Sequence, residues 1–168
     1  AEGHSLRIAR TRSTGEVNVD DLERLVDEDV ALVSLQAVNN ETGVIQPFTQ
    51  ACELSHRFGA LFHTDAAQAV GKTTFSAREC RADFVSLTGH KFHAPAGVGA
   101  LYARDGWESF VPLVPGGSQE FGVRGGTHNM IGIVGMGEAA RLRHNSIGEA
   151  IEEMANVRSV FESRVVNS

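Results

Sequence analysis

A lysine acts as a Schiff-base nucleophile only where its amine is held partly desolvated and the chain before it lets the backbone approach a ligand closely. Ser86-Leu87-Thr88-Gly89-His90-Lys91 offers that combination. Asp83 to Leu87 reads as a buried strand, so Lys91 falls just past its carboxyl end, where α/β sheets gather their ligands. Thr88, Gly89 and His90 supply the small-residue turn. Taken alone, a solvated loop lysine explains the same residues. A second group is Asp65, in Phe62-His63-Thr64-Asp65-Ala66-Ala67-Gln68, at the end of the preceding apolar strand. A half-buried carboxylate there is costly unless a cation meets it, and a pyridinium nitrogen is such a cation. As a plain alternative, Asp65 caps the helix that follows. An acid and an amine, each at a strand end, weaken both plain readings together.

The elements that must position these residues alternate. Val19, Leu22, Leu25 and Val26 recur at helical spacing behind Asn18 or Asp20 as N-cap, and Val30 to Leu35 reads as a buried strand. Pro47 begins a second helix with Phe48, Ala51, Cys52 and Phe58 inward, Gly59 ends it, and Ala60 to Thr64 is the next strand. Asp83 to Leu87 and Gly97 to Ala103 complete four strands. Strands alternating with helices predict a three-layer αβα fold, a mostly parallel central sheet covered on both faces. After a glycine-rich loop, 115–127, the periodicity predicts a helix over about 128–143 with Met130, Ile133, Val134 and Gly137 on one face. A further amphipathic helix carries Ile147, Ile151, Met154, Val157 and Phe161.

The chain has 168 residues, 42% of them hydrophobic, which suits one core rather than two. A net charge of −6, with acids and bases interspersed, argues against nucleic acid or an anionic membrane surface as partner. Apolar runs are far shorter than the roughly 20 residues of a membrane helix. Two cysteines, Cys52 and Cys80, are too few for a disulfide framework, so cytosol or an organelle matrix is the expected compartment. Cys52 and His56 make a C-x3-H pair without a second pair at ligand spacing, so no metal site is expected. The start at Ala1 and a last helix with nothing to introduce are expected to be cut edges of a longer protein.

Four motifs occur in order: Asn39-Asn40-Glu41-Thr42-Gly43, His63-Thr64-Asp65-Ala66-Ala67-Gln68, Gly89-His90-Lys91, and Gly117-Ser118-Gln119-Glu120 through Arg124-Gly125-Gly126-Thr127. Together they resemble the signatures of cysteine desulfurases of the NifS/IscS type, and are similar to those of selenocysteine lyases, within the fold-type I enzymes that use pyridoxal 5′-phosphate (PLP). The resemblance implies that Lys91 carries the cofactor and moves the substrate's α-proton. It implies that Asp65 pairs with the pyridine nitrogen, and that Gln68 hydrogen-bonds the ring's phenolic oxygen with Asn40 beside it. Thr88 and His90 would bind the phosphate, and Thr127 would reach the phosphate of a neighbouring subunit, making a homodimer. Thr88 stands where many relatives have serine, which keeps the hydroxyl donor. Each residue also has a plain reading: Asn40 and Gln68 as loop or cap amides, His90 as a surface histidine, Thr127 as the N-cap of the helix near His128.

On this resemblance, residues 1–144 are part of a PLP-binding large domain, and 145–168 form a helix leading toward a small domain outside the chain. The family's ring-stacking histidine, nucleophilic cysteine and substrate-binding arginine have no counterpart here, and neither Cys52 nor Cys80 is a credible persulfide carrier. The implied activity is cleavage of the C–S bond of L-cysteine to alanine and a persulfide, passed to a sulfur-acceptor or scaffold protein for iron–sulfur cluster or thionucleoside assembly. The alternatives are a selenocysteine lyase and a non-catalytic truncated paralogue or binding module.

Overall fold

The computed structural model describes residues 3–106 and 109–166. Helix α1 (Val19–Leu25) starts where Asn18 accepts from the backbone N–H groups of Asp20 and Asp21, so Asn18 rather than Asp20 is the cap. Strand β1 (Leu32–Ser34) follows, then α2 (Phe48–Arg57) and β2 (Leu61–Asp65). A single turn, α3 (Ala77–Cys80), capped by Ser76, leads to β3 (Phe84–Thr88). A 3-10 turn (Gly89–Phe92) and β4 (Gly99–Ala103) come next, and the long helix α4 (Met130–Val166) ends the described chain. Among the described residues no helix is long and apolar enough to cross a membrane.

The sheet has the order β1-β2-β3-β4, with β1, β2 and β3 parallel and β4 antiparallel to β3. The expected α/β class with a mostly parallel sheet is borne out. Side chains alternate across a strand, so the register sorts the residues into two faces. Val33, Phe62 and Val85 point to one face and form the core with Leu22, Val26, Ala51, Cys52 and Leu54 from α1 and α2. Phe62, Ala51 and Cys52 are fully buried there. Leu32, Leu61 and Leu101 point to the other face and remain 50%, 47% and 56% exposed, so the strands alternate in burial instead of being apolar on both sides.

At the amino-terminal edge of the sheet the buried carboxylate of Asp83 ties four elements together. Its Oδ2 accepts from Phe62 N–H at 2.8 Å and meets His56 Nε2 of α2 at 2.7 Å. Its Oδ1 accepts from Arg104 just after β4, and Arg104 also donates to the Arg81 carbonyl at 3.0 Å. A buried carboxylate is tolerable only with its lone pairs so occupied.

Two sequence readings change. The two helices expected over 128–143 and 147–161 are one helix of 37 residues. Its capping residue is Asn129, whose side chain accepts from Gly132 N–H at 3.0 Å, and not Thr127. Its inward face is also different. Gly132 is buried and a Cβ on Gly135 would meet Pro95 at 2.8 Å, whereas Met130, Ile133 and Val134 are exposed. Close approach of backbone to the 89–98 segment selects the glycine face over the apolar one.

Asp83→Ala leaves the buried Phe62 N–H without its acceptor, while Arg104 and His56 retain partial access to water, so the change is expected to cost about 1 to 3 kcal/mol. Urea unfolding checks this; a midpoint within experimental error of the parent would show that Asp83 does not hold the sheet edge.

Candidate active site

The expected site residues other than Thr127 lie at or just beyond the carboxyl ends of three adjacent parallel strands. Asn40 follows β1, Asp65 ends β2 with Gln68 just after it, and Thr88 ends β3 with His90 and Lys91 in the 3-10 turn. Asp65 pairs in register with Ser86, so Asp65, Ser86 and Thr88 share one face of the sheet. The strand-end positions follow from the apolar runs, and the turns follow from the small residues. A Cβ on Gly89 would lie 3.0 Å from both Ala94 and Val98, so only glycine allows the 89–98 segment to fold back this tightly.

The local bonds define what each group can do. Asp65 accepts from Ala67 N–H at 2.9 Å and is exposed, not half-buried as the sequence suggested. Lys91 and His90 are exposed as well. Among the described residues none covers these three groups, so the expected desolvation is not seen. Thr88 Oγ1 and His90 Nδ1 lie 3.0 Å apart, a hydroxyl and an imidazole paired at the head of the turn. Asn39 organises the loop after β1, its Oδ1 accepting from the N–H groups of Glu41 and Thr42, each at 2.9 Å, which leaves the exposed Asn40 side chain available.

His63, two residues before Asp65 on the same strand face, is held by serines of both neighbouring strands. Ser34 Oγ lies 2.8 Å from Nδ1 and Ser86 Oγ 3.1 Å from Nε2. Burial lowers the His63 pKa below its ordinary value, with Asp65 opposing. Gln68 is bonded to Lys72, whose Nζ donates to Oε1 at 2.9 Å. Burial, Lys91 and Arg143 all lower the Lys72 pKa. Sequence reasoning missed Lys72 and the His63 bridge. The spacing of four between Gln68 and Lys72 was the available signal for the first, while the serines flanking His63 come from strands that only the fold brings together.

Thr127 is exposed in the glycine-rich loop, whose two limbs close where Gly125 N–H donates to the Val114 carbonyl at 2.7 Å. Among the described residues no hydrogen bond joins Thr127 to the strand-end residues. Cys52 and Cys80 are both buried, and burial pushes the Cys52 thiol up to about 11. Cys52 approaches His56 at 3.9 Å, but among the described residues no group of three or more histidine, cysteine and acidic side chains is placed to hold a metal ion.

The pattern of the family described as aminotransferase class-V matches residues 1–160. The chain belongs to that family. It is similar to a cysteine desulfurase of Klebsiella pneumoniae, 41% identical over 99% of this chain and 42% of that protein. It is also similar to a cysteine desulfurase of Cereibacter sphaeroides, 48% identical over 84% of this chain and 36% of that one. Among solved structures, a NifS-like protein superposes with a TM-score of 0.93 at 40% identity, covering 99% of this chain and 46% of the other. The chain thus spans less than half the length of these class-V relatives.

The chemistry of the donor set suits a phosphorylated, cationic aromatic cofactor: a carboxylate, an amide, a hydroxyl–imidazole pair and an amine at one sheet edge. Cys52 gives a separate check on the other side of the sheet. A thiol whose pKa is raised on folding contributes stability that is full below its ordinary value of 9.0 and lost as pH rises toward about 11. Stability measured by urea unfolding should therefore fall across that window, and Cys52→Ala should flatten the fall. An unchanged slope would show that Cys52 ionises freely in the folded state.

Proposed function

We propose that this chain is the cofactor-binding part of a PLP-dependent cysteine desulfurase, acting on L-cysteine to give alanine and sulfur held as a persulfide. The observation that supports the reading is the placement of Asp65 and Thr88 at the carboxyl ends of the adjacent strands β2 and β3, with Gln68, His90 and Lys91 just after them. Membership of the class-V family and the cysteine desulfurase names of its relatives support it. A solved structure similar to this chain, at 39% identity and a TM-score of 0.72, is described as SspA in complex with cysteine.

In this reading Lys91 anchors the cofactor, Asp65 pairs with its ring nitrogen, Gln68 donates to its phenolic oxygen with Asn40 beside it, and Thr88 and His90 hold its phosphate. When bound, the cofactor supplies an electron sink for the charge that develops at the substrate's α-carbon. Asp65 sustains that sink by keeping the ring nitrogen protonated. Lys91, once released from the cofactor, takes the α-proton as base and returns it as acid. Thr127 serves the phosphate of a neighbouring subunit, so the assembly proposed is a homodimer that passes sulfur to an acceptor or scaffold protein. Cys52 and Cys80 are both buried, which supports assigning the persulfide to a cysteine other than these two. Residues 1–144 are assigned to the cofactor-binding domain and 145–168 to the segment that leads to a second domain, the boundary falling within α4. The compartment proposed is a reducing one, cytosol or organelle matrix, supported by the free state of both cysteines.

The PLP-loaded enzyme is expected to show a visible absorbance band and to release alanine from L-cysteine. Lys91→Ala should abolish the band and lower the rate by about 10²-fold to 10⁴-fold. Asp65→Ala should weaken PLP retention about tenfold or more, the loss of one charge-assisted pair. A band that persists in Lys91→Ala would refute the assignment.

A further inference from the structure

An amide side chain has two ends of nearly equal size, one accepting and one donating. Donation from Gln68 to a phenolic oxygen requires the nitrogen end to face the cofactor, and nothing in the residue itself selects that orientation. Lys72 selects it. Its ammonium has donors and no acceptor, so the bond of 2.9 Å can be made only to the carbonyl oxygen of Gln68. The nitrogen end then points away from Lys72.

The backbone is built to bring Lys72 there. Gly71 has a φ of +76°, and a Cβ on it would sit 2.6 Å from Phe92 Cβ and 3.1 Å from Arg143 Cγ. Lys72 is thereby drawn under the 89–92 turn, four residues from Gln68 and within the electrostatic reach of Lys91. The charged groups facing it are Lys91 from that turn and Arg143 from α4; on the sheet edge beyond Gln68 stand Asp65 and His90. Among the described residues no carboxylate forms an ion pair with Lys72, Lys91 or Arg143. Three cations from three elements converge without a counter-charge of their own.

We propose that Lys72 is a positioning residue for the cofactor: it fixes the Gln68 amide with its donor end toward the phenolic oxygen and sets a positive charge beside Lys91. The proposal rests on the reading of Lys91 as the attachment point. A donor on the phenolic oxygen and a nearby cation both oppose protonation of the nitrogen that joins Lys91 to the cofactor. Removing Lys72 weakens both.

The test is a pH titration of the visible absorbance of the PLP-loaded holoenzyme. Lys72→Met should move the midpoint upward by about one pH unit, the size of one charge-assisted hydrogen bond. Lys72→Arg, which keeps charge and donors, should restore it toward the parent value. Gln68→Ala should shift in the same direction, and the double variant should fall short of the sum of the two. Lys72→Gln, close to lysine in size, serves if the methionine variant does not fold. A midpoint that ignores Lys72, or shifts that add in full, overturns the proposal while leaving Lys91 as the anchor. A band that survives Lys91→Ala overturns the underlying reading and the proposal with it.

Discussion

The register between β2 and β3 is the constraint on which the site depends, and the Asp83 carboxylate fixes it. Asp83 and Phe62 exchange two hydrogen bonds, from Asp83 N–H to the Phe62 carbonyl at 3.0 Å and from Phe62 N–H to the Asp83 side chain at 2.8 Å. His56 and Arg104 hold the same carboxylate from α2 and from the end of β4. Counting forward from that clamp places Asp65 opposite Ser86, and Thr88 one pleat beyond on the same face. A slip of one residue would send either Asp65 or Thr88 through to the α2 side. The chemistry at the carboxyl edge is therefore set by a charge cluster at the opposite edge that takes no part in it.

The two faces of the sheet divide the labour. The α2 face carries Phe62, Val85, Cys52 and Leu54 in a dry core, with only Thr64 Oγ1 lacking a partner among the buried side-chain atoms of the strands. The other face carries the groups that titrate or donate: Ser34, His63, Asp65, Ser86 and Thr88. Because the side-chain period of a strand is two, every second residue could be selected for chemistry without disturbing the core beneath it.

Much of this was legible in the sequence, and the reason is local. Apolar runs ending in small residues located the strands and therefore Asp65 and Lys91, since strand ends and the turns after them are written in consecutive residues. The Asp83 cluster was not legible, because His56 and Arg104 lie 27 and 21 residues away and meet it only through the sheet. The inward face of α4 was misread for a related reason. Periodicity marks apolar residues, while the close approach there is made by Gly135 against the Pro95 ring, with Gly132 under the Asn129 side chain. Lys72 escaped notice because its one sequence signal, the spacing of four from Gln68, carries weight only once the turn is known to bring the two side chains together.

The exposure of Asp65 and Lys91 bears on how strong this site can be. Two unit charges about 4 Å apart attract by about 1 kcal/mol in water and about 4 kcal/mol where the effective dielectric constant is near 20. A carboxylate as open as Asp65 in this chain sits near the first limit, and a ring cation paired with it would be held weakly. Leu101, about half exposed, stands on the same face beside Ser86, the register partner of Asp65, whereas the exposed Leu32 and Leu61 lie at the opposite end of their strands. Covering Leu101 and the strand-end residues would move Asp65 toward the second limit and raise its hold on a cation without changing a polar contact. The hold of Asp65 on a cation therefore depends on how dry the carboxyl end of that face is, a property set by packing and not by its hydrogen bonds.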